Sequence, residues 1–143
     1  MAMSDIPFRL RPIALEDESF IYSSWLKSYR NSDFGSLMSN DVYFKYTQLI
    51  IARILSRATI TVACDEKDSQ TILAYIVSEP SGANQVVQYV YVKEIYRNLG
   101  LARHLVQLVT QGSPFTYTHH TRAISTLLSK KKLPNATFNP YLL

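Results

Sequence analysis

Cys64 is the only cysteine in this chain of 143 residues, so no intramolecular disulfide can form. That usage fits a reducing compartment. Zinc is not expected either, because Cys64, His104, His119 and His120 show no metal-ligand spacing. Four glycines are present, and none belongs to a Gly-x-Gly-x-x-Gly or a Gly-Lys-Ser/Thr. Both omissions argue against phosphate loops of the dinucleotide-binding and P-loop kinds. Apolar runs such as Leu49-Ile50-Ile51-Ala52 fall far short of the roughly 18 residues that a transmembrane helix needs. The first residues, MAMSDIPFRLRP, have neither the basic start nor the apolar stretch of a signal peptide. The expectation is a soluble, cytoplasmic protein with no membrane partner. Charged residues make up only 18%, too few for a disordered chain. Hydrophobic residues reach 47%, enough to bury a core in one domain spanning residues 1–143.

Charge is unevenly spread. Eight basic and ten acidic residues precede residue 93, whereas the remainder holds seven basic residues and one acid, Glu94. A basic half points to an anionic partner or to a solvated surface. A phosphorylated cofactor and a nucleic acid both remain open on this ground.

Periodicity predicts the elements. Phe8 to Arg11 reads as a short strand ending at Pro12. Leu15-Glu16-Asp17 places acids at a helix start, and Ile21, Trp25 and Tyr29 make its buried stripe. Asn31 to Asn40 reads as a loop. Asn40 or Asp41 is the expected cap of a second helix, with Tyr46, Ile50 and Ile54 inward. Tyr43 or Phe44 would then be free to meet a substrate. Thr59–Ala63, Thr71–Val77 and Gln85–Val92 read as strands whose short connections favour antiparallel pairing. Another helix begins near Gly100, with Leu101, Leu105 and Leu108 on one face and Ala102, Val106 and Val109 beside them. Phe115–His119 is a strand, Thr121 caps a helix to about Lys131, and Asn135–Leu142 is a last strand confined to an edge or shortened by Pro134 and Pro140. The result is a mixed α/β sheet with helices on both faces.

The informative stretch runs from Tyr89 to Ala102. A strand enters a short loop and then a helix whose first turn holds Gly100 and Ala102. Unpaired N–H groups and partial positive charge at such a terminus suit an anion, and small residues let it approach. Arg97 adds a fixed charge. Together they would cradle a pyrophosphate.

This stretch resembles the acetyl-CoA loop of the GNAT superfamily of N-acetyltransferases, Gln/Arg-x-x-Gly-x-Gly/Ala. Arg97, Gly100 and Ala102 take its fixed positions, and the element order over about residues 8–131 is that of the family. The resemblance implies a GNAT fold, α/β with a mostly antiparallel sheet, and acetyl-CoA held at a splayed, bulged fourth strand. Tyr91, Val92, Arg97, Asn98, Leu99, Gly100, Leu101 and Ala102 would form the cofactor site, with the bulge at Tyr91-Val92 and the Val92 N–H as oxyanion donor. It implies direct attack by an amine on the thioester. No metal is called for.

The acid and base departures are equally clear. The helix after the fifth strand has no tyrosine, where many family members carry one, and the fourth strand lacks the usual carboxylate. Tyr117, His119, His120 and Ser125 are the catalytic candidates. Consecutive His119 and His120 point to opposite faces of a strand, so at most one can face a cleft. An imidazole near pKa 6.5 suits acid–base work at neutral pH, and the alternative is one surface histidine beside one satisfied by a helix cap. The tyrosine-rich helices, the Thr118-His119-His120-Thr121 segment and the Asn-Pro-Tyr ending also resemble compact phage or prophage members, including DNA-modifying enzymes of the Mom type. The acceptor is therefore a small-molecule or protein amine, with a DNA base as the alternative; a CoA-binding module without catalysis also remains open. Lys130 to Lys132 read as a solvated helix end rather than a DNA contact, and a homodimer is compatible with all of this.

Overall fold

The computed structural model describes residues 7–32, 35–133 and 135–143. Residues 33–34 of the expected loop, Pro134, and the start of the chain lie outside them. The elements are β1 (Phe8–Pro12), α1 (Glu18–Arg30), α2 (Asn40–Leu55), β2 (Thr59–Asp65), β3 (Ile72–Ser81), β4 (Asn84–Val92), α3 (Leu101–Thr110), β5 (Phe115–Tyr117), α4 (Arg122–Ser129) and β6 (Ala136–Phe138). Among the described residues they form one sheet of six strands in chain order. Strands β1 to β4 pair antiparallel, and β5 and β6 add in parallel.

Helices cover both faces, because each strand alternates its side chains between two cores. Ile21, Trp25, Tyr43, Ile51 and Ile54 of α1 and α2 pack with Val62, Tyr75 and Tyr89 on one side. Leu101, Leu105 and Val106 of α3 and Ile124 and Leu127 of α4 pack with Ala74, Ile76 and Val90 on the other. The α1 stripe of Ile21, Trp25 and Tyr29 is buried as its spacing predicts, and Thr121 caps α4 by accepting from the Ile124 N–H. Arg11 and Asp17 tie β1 to the entry of α1 through an ion pair, with Asp17 also accepting from the Ala14 N–H.

Two expectations for α2 are corrected. The cap is Ser39, whose hydroxyl accepts from the Val42 N–H, not Asn40 or Asp41. The buried stripe is Tyr43, Thr47, Ile51 and Ile54. Tyr46 is 53% exposed, and Tyr43 is enclosed with its hydroxyl donating to the Leu26 carbonyl at 2.6 Å. Both frames satisfy helical periodicity, and the fit of Tyr43 against α1 selects between them. The last strand shrinks to Ala136–Phe138, paired to β5 alone.

The α2 frame makes a sharp expectation. Tyr43→Ala costs roughly 3–5 kcal/mol, the range for deleting a buried aromatic ring. Tyr46→Ala stays within about 0.5 kcal/mol of the parent. Urea unfolding of both variants measures this, and a larger loss in Tyr46→Ala would mean that the other face is buried.

Candidate active site at the fork between β4 and β5

Strand β4 carries an extra residue. Val77 pairs with Tyr89 but Ser78 pairs with Val87, so Gln88 has no partner of its own on β3. The bulge reverses the facing of everything after it. Val87, Val90 and Val92 thus share the α3 face, and Tyr89 and Tyr91 pack on the α1 side. The bulge expected at Tyr91-Val92 is corrected to Gln88: β4 stays in register with β3 through Val92.

Beyond Gln88 the two central strands part. Pairing of β4 with β5 covers only Gln85–Val87 against Phe115–Tyr117. One more contact, from the Thr118 N–H to the Val87 carbonyl, closes the fork. The Lys93 N–H donates to the Leu73 carbonyl. By antiparallel alternation the amide groups of Val90 and Val92 then point away from β3 and into the gap.

The gap is a cleft of about 960 Å³ that passes through the sheet. Val90, Val92, Leu101, Ala102 and Leu127 line it from the α3 and α4 face, and Ser28, Tyr29, Tyr89 and Tyr91 from the α1 face. Each end has its own chemistry. Arg97, Arg103, Arg122, Lys130 and Lys132 line it, against Glu94 as the only lining carboxylate among the described residues. The α1 end presents hydroxyls, an amide and aromatic rings, from Ser28, Tyr29, Asn31, Ser32 and Tyr89.

Helix α3 starts in this cleft with no side chain capping it. Gly100 takes the N-cap position at φ 87°, a left-handed conformation open to glycine at little cost, and Asn98 is left-handed as well at φ 65°. Amide N–H groups of the first turn are therefore left for solvent or an anion. Arg97 is held more firmly than a lone charge at a loop entrance: its Nε donates to the Val92 carbonyl at 2.9 Å. That bond ties the loop to the end of β4.

The catalytic candidates separate. His120 and Ser125 line the cleft, and both are exposed. His120 lies against the rings of Tyr117 and Phe138. Tyr117, the last residue of β5, is buried and does not line the cleft. The strand expected to reach His119 ends at Tyr117, and alternation stops there: Tyr117 packs on the α3–α4 side, whereas His119, in the turn that follows, lies on the α1 face, boxed by Trp25, Tyr29 and Tyr89 at centroid distances of 5.3, 4.7 and 5.5 Å. It does not line the cleft either. Among the described residues no three His, Cys, Asp or Glu side chains converge on a metal position.

Sequence reasoning missed Gln88 as the pivot. It is wholly buried, and its Nε2 donates to Glu79 at 2.8 Å and to the Leu142 carbonyl at 3.0 Å. Its Oε1 accepts from the Thr118 hydroxyl at 2.6 Å. Thr118 has one hydrogen and spends it there, so the Nδ1 of His119, 2.9 Å away, must be the donor to Thr118. The tautomer of His119 is set by this chain of bonds. Glu79 is paired with Arg57 at 2.9 Å, and that pairing holds its carboxyl below the usual range. A buried glutamine amid apolar strand residues was the available signal. Its importance depends on partners distant in the sequence. Ser28 and Tyr29 also went unassigned to the site, because their helix gave only a core stripe.

The sequence itself matches no family model and no curated protein sequence. Solved structures do match its fold. A possible acetyltransferase from Clostridium difficile 630 superposes with a TM-score of 0.56 at 15% identity, covering 90% of each chain. PaiA N-acetyltransferase from Thermoplasma acidophilum, solved in complex with coenzyme A, gives 0.51 at 13% identity over 90% of this chain and 76% of that one. Apo-form YjaB from Escherichia coli gives 0.53 at 17% identity over 73% of this chain, which spans 65% of that protein's length. The chain has the GNAT fold. In this GNAT fold the forked sheet, the uncapped α3 and the basic lining converge on one through-sheet cleft. No helix among the described residues is long and apolar enough to cross a membrane.

His119 gives a pH signature. Burial pushes its pKa down from 6.5 to about 4, opposed only by a hydrogen bond to the Gln88 backbone. The unfolded chain takes up this proton near 6.5 and the folded chain only near 4, so stability falls as pH drops through that window. The loss amounts to about 2 kcal/mol by pH 5. Urea midpoints at pH 7 and pH 5 should differ accordingly in the parent and converge in His119→Gln; an unchanged slope in the variant would place the titrating group elsewhere.

Proposed function

We propose that this chain is an acyl-CoA-dependent N-acyltransferase that uses acetyl-CoA and an amine. The observation that carries the reading is the uncapped start of α3, opening into the basic end of a cleft that continues through the sheet. Leu99 to Ala102 would receive the pyrophosphate on backbone N–H groups, with Arg97 holding the loop in place. Arg103, Arg122, Lys130 and Lys132 supply positive charge for a ligand with several phosphates. The neutral gap beyond, between Val90 and Tyr89, suits a chain without charge. The CoA complex of PaiA supports the choice of cofactor.

Acetyl-CoA would supply an activated acyl group, and the protein's contribution is placement. Val90 and Val92 turn their amides into the gap, and Val92 has only its N–H free, since Arg97 occupies its carbonyl. That N–H is the fitting donor for charge developing on the thioester oxygen. The α1 end of the cleft would admit the amine. His120, at the turn before α4, is the candidate to accept its proton, with Ser125 or water as partner. His119 and Tyr117 serve the architecture of the fork in this reading. An acceptor held already neutral would need positioning alone.

A nucleic-acid acceptor is the second reading, favoured by the exposed Arg122, Lys130 and Lys132 at the cleft lining. Such binding would fall steeply with salt as counterions are released.

Calorimetry with CoA decides the cofactor. Ala102→Glu keeps a helix-compatible residue but puts bulk and negative charge in the first turn of α3. It should weaken CoA by at least about tenfold. Gly100→Glu should do so too, partly because its φ of 87° resists a side chain. Undiminished affinity in Ala102→Glu removes the pyrophosphate assignment. Binding without thiol release from acetyl-CoA across an amine panel and duplex DNA would leave a CoA-binding module without catalysis.

A further inference from the structure

Four tyrosines are buried on the α1 face around the fork, and three have committed hydroxyls. Tyr43 donates to the Leu26 carbonyl at 2.6 Å, Tyr75 shares a bond with Ser24 at 2.8 Å, and Tyr89 shares one with Ser28 at 2.6 Å. Tyr29 is 7% exposed, and its hydroxyl has no hydrogen-bond partner among the described residues. The oxygen is also not sealed in. The enclosed side-chain polar atom left without a partner among the described residues is Trp25 Nε1, not the Tyr29 oxygen. Since Tyr29 lines the cleft, its free hydroxyl opens there.

The ring is held from several sides. His119 packs edge-on at 4.7 Å and Tyr89 at 6.0 Å. The Tyr29 carbonyl accepts from the Ser32 N–H and hydroxyl at 3.0 and 2.6 Å, and the backbone of Gly35 lies so close to that carbonyl that no Cβ would fit. A side chain fixed this way loses little further freedom on meeting a ligand. Burial raises the Tyr29 pKa to about 12, so near neutral pH the hydroxyl carries its proton. It can donate and is a poor base. His119 behind it is neutral and already spends Nδ1 on Thr118, so its part is to position Tyr29.

We infer that Tyr29, reaching the fork from α1, is the hydrogen-bond and proton donor to the thioester sulfur. This rests on the acyl-CoA reading and deepens it. The hydroxyls that helix α4 offers to the cleft are those of Ser125 and Thr126, and it offers no phenol. Tyr29 supplies one from the opposite face of the sheet. As the C–N bond forms and the C–S bond breaks, the bond's electron pair goes to sulfur. Tyr29 gives sulfur its proton and regains one, through solvent, from the newly acylated nitrogen. The amide and the free thiol are the balanced products.

The test needs no knowledge of the acceptor. CoA and desulfo-CoA, which has hydrogen in place of the thiol, are titrated by calorimetry into the parent and Tyr29→Phe. A single neutral hydrogen bond to sulfur should make CoA about threefold to tenfold tighter than desulfo-CoA in the parent. That preference should vanish in Tyr29→Phe, with desulfo-CoA affinity unchanged, which also reports an intact fold. Equal loss for both ligands means a merely structural tyrosine and overturns the inference, as does a thiol preference that survives the substitution or is missing from the parent. In each of those cases the acyl-CoA reading stands. Failure of both ligands to bind the parent overturns the acyl-CoA reading and Tyr29's role with it.

Discussion

One unpaired residue in β4 governs this molecule. Gln88 adds a step to the strand, and a strand with an added step turns its later side chains over. Two consequences follow together. Val90 and Val92 face α3 while Tyr89 and Tyr91 face α1, and β4 leaves β5 just where the bulge ends. A regular strand would have continued the β4–β5 ladder and left no gap. The fork exists because backbone amides that a sheet would normally consume are released toward a cleft.

Holding that fork open requires an amide side chain bonded on every side. Gln88 reaches Glu79 of β3, Thr118 just after β5, and the Leu142 carbonyl. Buried polar groups stabilise a fold only when all are satisfied, and this set is satisfied from the Arg57–Glu79 pair inward to His119. The price is that His119 sits among Trp25, Tyr29 and Tyr89, where a positive charge is disfavoured. Architecture and site are thus coupled: the same ring that ends the polar chain braces the tyrosine at the cleft wall.

Electrostatics divide the cleft between its two ends. The start of α3 and its neighbouring arginines and lysines make the α3–α4 side suited to anions. The α1 side holds hydroxyls and rings. A ligand carrying phosphates at one end and an uncharged reactive group at the other matches this division without any rearrangement of the lining charges.

Much of this was legible in the residues themselves. The helical stripe of Ile21, Trp25 and Tyr29, the Thr121 cap, the antiparallel run β2–β4, and the Arg97-x-x-Gly100-x-Ala102 turn into a helix all depend on neighbours within a few positions, where local propensity and spacing suffice. The parting of His119 and His120 to opposite faces, and which of them meets the cleft, were not legible in this way, because both lie past the end of β5 and depend on how it lies against β4. The position of the bulge, the choice of Tyr43 over Tyr46 as the buried ring, and the arrival of Tyr29 at the fork were decided by tertiary structure alone. Each is a choice between registers that differ by one to three residues and satisfy the same periodicity. Only contacts between separate elements decide them: Ser78 against Val87, Tyr43 against Leu26, and His119 against Tyr29.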